Sequence, residues 1–108
     1  MVNKDKETEQ IIENLTQNQR GCLLEALRRY VRFHYGKDLV TAWVGLGTKT
    51  DYKSVNGKFM TMVHGHEPRA NGWWKLTERG HAIVDYWLRI HGQNIKTFIF
   101  QQTGDKID

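Results

Sequence analysis

One cysteine and one proline are all that the 108 residues hold of either. Cys22 has no second cysteine to bond with, which excludes an intramolecular disulfide framework and suits a reducing compartment. Within a predicted helix it reads as a small buried or partly buried residue rather than a nucleophile. No apolar run approaches the length of a bilayer span and the chain shows no signal-peptide pattern, so the expectation is a cytoplasmic protein. A phosphate-cradling glycine loop, a nucleophile motif and a convincing close pair of carboxylates are all missing. The chain is also short for enclosing a substrate. Catalysis and a cofactor are therefore not expected.

What is present is a globular composition. Hydrophobic residues make up 39% of the chain and twelve of its residues are aromatic, enough for one domain with a modest core. The formal net charge of +4 hides an asymmetry. Residues 1–14 carry two lysines against four carboxylates, whereas residues 15–103 carry thirteen Lys/Arg against six Asp/Glu. A body with that excess favours polyanions, of which nucleic acid is the commonest in a cytoplasm.

Taken in order, residues 1–14 read as a flexible N-terminal segment whose second half, with Ile11 and Ile12, could extend a short helix. Thr16 and Gln19 fit a capping box, and the helix that follows runs to about His34 with Leu23, Leu24, Leu27, Tyr30 and Val31 inward. Arg20, Arg28, Arg29 and Arg32 lie mainly off that face, as on a solvated helix surface. Asp38 could cap a second helix burying Leu39, Val40, Trp43 and Val44, with a strand as the alternative over Leu39 to Leu46. Gly45 and Gly47 then break the chain.

The most informative stretch is Gly72-Trp73-Trp74-Lys75-Leu76-Thr77-Glu78-Arg79-Gly80. Alternation makes Trp73–Leu76 a strand with Trp74 and Leu76 on one face. Thr77 is placed to cap the helix after it, Glu78 complements the positive helix end, and Gly80 allows close packing against the strand. Ile83, Val84, Trp87, Leu88 and Ile90 form the apolar stripe of that helix, and Gly92 stops it. A strand entering a capped helix through Leu-Thr-x-x-Gly resembles the wing-to-last-helix junction of winged helix-turn-helix proteins, as in MarR- and PadR-type regulators and small bacterial or phage domains. In element order the resemblance covers roughly Thr16 to Gly92. It implies a mainly α fold with a small β-hairpin, and DNA binding.

Residues 48–63 admit two readings. As a helix over about 51–62, Tyr52, Val55, Phe59 and Met62 form an inward face, while Lys53, Gly57 and Thr61 point away with Ser54 and Met60 beside them. This is the arrangement of a recognition helix. Alternatively, Asn56-Gly57 is a type I′ hairpin turn between Tyr52–Val55 and Lys58–Val63. The helix is preferred because adjacent apolar pairs, Phe59-Met60 and Met62-Val63, spoil strand alternation. A wing over about 63–76 follows, with the polar residues from Gly65 to Gly72 at its tip.

On the helical reading, Lys53, Ser54, Asn56 and Lys58 meet the major groove, and Lys49 contacts phosphate near the helix start. Arg69 enters the minor groove from the wing tip, and Lys75 and Arg79 are secondary phosphate candidates. The expected function is double-stranded DNA binding as a transcriptional regulator, as a homodimer on two half-sites. The alternative is a protein–protein adaptor that uses the same scaffold without touching DNA. His64 and His66, two residues apart on a strand, form a weak metal pattern because neither paired cysteines nor an HExxH helix accompany them. Trp43, Trp74 and Trp87 read as core and Trp73 as partly exposed. After Gly92, residues 93–108 form a C-terminal extension. Its Ile95–Phe100 stretch is too apolar to hang free, and suits an added strand, a short packed helix or a dimerisation segment.

Overall fold

A computed structural model describes residues 2–33, 40–41, 55–66, 71–104 and 106. Its elements are α1 (Val2–Glu13), α2 (Gln17–Phe33), β1 (Val40–Thr41), β2 (Met60–His66), β3 (Asn71–Leu76), α3 (Glu78–His91), a 3-10 turn (Gly92–Asn94) and α4 (Ile95–Thr103). The fold is mainly helical with one small antiparallel sheet, in the order β1-β3-β2. β2 and β3 form a hairpin with Met60 opposite Leu76 and Thr61 opposite Lys75. A bulge between Met62 and His64 then shifts the register before His64 meets Trp73. β1 adds to the other edge of β3, Val40 opposite Lys75 and Thr41 opposite Trp74.

The helix expected from Asp38 is corrected at Val40 and Thr41. These two β-branched residues pair with β3, where their backbone groups complete a ladder that a helix would leave open. Trp43 and Val44 lie outside the described residues.

Trp74, Leu76 and Met60 project from the hairpin into one core with Val55 and Phe59 from the preceding turn. Leu23, Leu24 and Leu27 of α2, Ile83, Val84 and Trp87 of α3, and Ile99 of α4 close it. Burying a Leu- or Ile-sized side chain contributes roughly 1.5–3 kcal/mol, so this cluster supplies the main cohesion of the domain. Cys22 is buried within it, in keeping with its helical position. Ile90 departs from the expected stripe. It is 53% exposed, one residue from the C-terminal end of α3.

The N-terminal segment expected to be loose is instead the helix α1. Asp5 receives a two-pronged hydrogen bond from the Arg89 guanidinium of α3, at 2.7 and 3.0 Å. Thr8 is buried, its hydroxyl donating to the Lys4 carbonyl, while Ile11 and Ile12 pack on the core. Arg20 of α2 then donates to the Ile12 carbonyl, which also accepts from Leu15 N–H at the end of α1.

The capping box of α2 forms as expected. Gln19 N–H donates to Thr16 Oγ1 at 3.1 Å, and Thr16 N–H donates to Gln19 Oε1 at 3.0 Å. Past α3, the apolar stretch after Gly92 is a short helix packed on α2 rather than a strand. Phe98 anchors it by stacking on His91 and tilting against Trp87.

Candidate nucleic-acid interface

The expected helix over 51–62 is corrected in its second half. Backbone at Val55 is helical, but Gly57 has φ of +82°, and residues 57–59 form a turn from which β2 departs at Met60. Lys58 and Phe59 N–H both donate to the Val55 carbonyl, and Gly57 N–H donates to the Met60 carbonyl. A glycine in the left-handed region is a common helix terminator, so Gly57 breaks the helical backbone after Val55 instead of riding on the outer face of a helix that runs on to residue 62. The hairpin alternative fails as well, since the Asn56–Met60 bridge is parallel and Val55 is not in a strand. Met60, expected outward, is fully buried because the strand turns it toward Trp74 and Leu76.

The turn is held by one threonine. Thr77 N–H donates to the Phe59 carbonyl at 3.0 Å, and its hydroxyl donates to the Lys58 carbonyl at 2.8 Å. The same oxygen accepts from Gly80 N–H at 3.2 Å as the N-cap of α3. Gly80 itself is buried against this turn. A Cβ there would be driven into the Phe59 carbonyl oxygen and lie 3.0 Å from Leu76 Cδ2. The Leu-Thr-x-x-Gly junction thus clamps the turn to the start of α3.

Of the expected DNA-contacting residues, Asn56, Lys58, Lys75 and Arg79 are described and all four are exposed. Lys75 projects from β3 between the buried Trp74 and Leu76, on the open face of the sheet beside Thr61. Val63, at the bulge, is exposed as well. Lys58 and Arg79 flank a groove of about 560 Å³ that runs between α1, the start of α2 and the 57–59 turn. Lys58, Lys75 and Arg79 have no carboxylate partner among the described residues, whereas Arg28 and Arg29 are both paired with Glu25 and Arg89 with Asp5. The pairing of Arg28 and Arg29 with Glu25 is an i,i+3 and i,i+4 contact, and all three side chains are only partly exposed, so this part of α2 is not the open solvated surface expected.

Lys49, Lys53, Ser54 and Arg69 lie outside the described residues. His64 and His66 both fall on β2, in register with Trp73 and Asn71. Among the described residues, no group of three or more His, Cys, Asp or Glu side chains could hold a metal ion. Among them too, no helix is long and apolar enough to cross a membrane.

The groove beside Lys58 and Arg79 is not legible in the sequence, because the residues lining it come from three separated stretches, 7–19, 58–59 and 79. The one local hint is the apolar pair Ile11-Ile12 in an otherwise polar start. Comparison with protein-family models, with curated proteins and with solved structures finds no match to this chain.

Proposed function

We propose that the chain is a winged helix-turn-helix domain that binds double-stranded DNA, acting as a homodimeric transcriptional regulator. The observation that carries the reading is the element order: a capped helix, a short strand, a connecting segment, a two-stranded hairpin and a second capped helix. The β-hairpin supplies the wing, and β1 ties the connecting segment to its inner edge. Lys58, Lys75 and Arg79 are exposed cations without carboxylate partners among the described residues. They support a polyanionic ligand, since unneutralised charge on a small basic body is what phosphates attract.

The corrected turn alters the roles. Lys58 leaves the base-reading set and becomes a phosphate candidate beside Arg79, while Lys53 and Ser54 remain the base-reading candidates and Lys49 a phosphate contact. Arg69, between the two wing strands, is assigned to the minor groove.

Fluorescence anisotropy with a labelled random duplex tests this. At low salt the protein should bind, and affinity should fall linearly with salt on logarithmic axes. Lys53→Ala and Arg69→Ala should each weaken binding with the fold intact by circular dichroism. Absence of any salt-sensitive association would end the DNA reading and leave the adaptor reading.

A further inference from the structure

We infer that the groove between α1 and the 57–59 turn is a binding site for a small organic phosphate, a monoester with an apolar body. The groove's volume of about 560 Å³ is in the range of small-molecule sites, roughly 300–1,000 Å³. Its lining divides by chemistry. Ile11, Leu15 and Phe59 give an apolar floor. Gln10, Asn14 and Gln19 bring primary amides to the rim, a residue type that donates to a ligand's oxygens without adding charge.

Lys58 and Arg79 supply the charge. Neither has a carboxylate partner among the described residues, and a guanidinium and an ammonium lining one groove match a phosphate better than a neutral group. Glu7 is the one carboxylate among the described lining residues and borders Arg79 from the α1 side. It disfavours a second anionic group, and so directs a single phosphate toward the Lys58 side. A second depression of about 370 Å³ adjoins the groove through Glu7, Ile11 and Arg79, and there Glu7 and Glu78 offset Lys4 and Arg79. That end has no charge excess. The phosphate therefore belongs near Lys58, with the body on Ile11 and Leu15.

The site does not rest on the DNA reading, because it is measured on the free protein. Phenyl phosphate is the probe and inorganic phosphate its control, titrated into ¹⁵N-labelled protein. Phenyl phosphate should give saturable shifts at the amides of Ile11, Leu15, Lys58, Phe59 and Arg79, and should bind more tightly than inorganic phosphate. Lys58→Gln should weaken it at least about tenfold, as removal of a charge-assisted hydrogen bond does, and Arg79→Gln by a smaller factor, because the phosphate lies nearer Lys58. Both side chains are exposed, and the Thr77 clamp uses only backbone carbonyls of the turn, so both variants keep the fold. Arg79→Lys, which keeps the charge, should recover part of the affinity. Absent shifts at these amides, wild-type affinity in Arg79→Gln, or equal binding of inorganic phosphate would each overturn the assignment.

Discussion

At the scale of single residues, Thr77 and Gly80 do more than cap a helix. Thr77 bonds four backbone groups on two elements, and Gly80 removes the side chain that would push those elements apart. Gly80→Ala should therefore lower stability by about 1–3 kcal/mol or more, the usual cost of overpacking against backbone that cannot move. Gly21 provides the opposite case on α2, since nothing lies within 4 Å of where its Cβ would be. Gly21→Ala should raise stability by roughly 0.5–1 kcal/mol through helix propensity alone. Urea denaturation of the two variants checks both signs. Thr77→Ala should cost about 1–2 kcal/mol and Thr77→Ser much less, because serine retains the hydroxyl that both donates and accepts. Equal destabilisation by alanine and serine would mean that the hydroxyl bonds contribute little.

Among the elements, the α3–α4 junction carries the clearest pH dependence. His91 stacks on Phe98 with ring centroids 3.7 Å apart, and burial holds its imidazole below the ordinary histidine pKa. The folded state therefore prefers neutral His91. That contribution to stability is complete above the unfolded pKa of about 6.5 and is lost as pH falls through the lower folded value. Thermal melts from pH 8 to pH 5 should show falling Tm, with a shallower fall in His91→Phe, which keeps the stack and removes the titration. Identical profiles would assign the pH dependence to other groups. The α1–α3 pair titrates lower. The Arg89 guanidinium holds the Asp5 carboxyl below its usual range, so this support is present at neutral pH and disappears in acid. Both side chains are largely exposed, which makes the pair a salt-screened clasp on α1 rather than a large source of stability.

For the whole molecule, charge and shape have separate origins. α1 carries four of the twelve carboxylates against two lysines, while the described cations of residues 15–103 lie on the sheet face, the 57–59 turn and the helices. If the domain binds DNA through that basic surface, removing one phosphate-binding cation should reduce the salt slope by about 0.9. The combined variant Lys58→Ala, Lys75→Ala, Arg79→Ala should thus lower the slope by up to about 3 while leaving sequence preference unchanged. A slope equal to that of the parent protein would place the DNA surface elsewhere on the domain.

Local spacing alone specifies the features whose partners lie within one helical turn: the Thr16–Gln19 box, the Thr77 cap, the Gly92 stop and the apolar faces of α2 and α3. Their geometry follows from backbone separations of three or four residues, which can be counted along the chain. Other features exist only once distant segments meet. The turn at residues 57–59 follows from burying Met60 beside Trp74 and from Thr77 bonding a carbonyl nineteen positions away. The pairing of Val40 with Lys75, the docking of α1 through Asp5 and Arg89, and the groove between α1 and the turn likewise join remote parts of the chain. Local propensity admits more than one conformation at Val40-Thr41 and at Asn56-Gly57. Burial of apolar surface and completion of hydrogen bonds, both properties of the assembled fold, select one conformation among those that the chain allows.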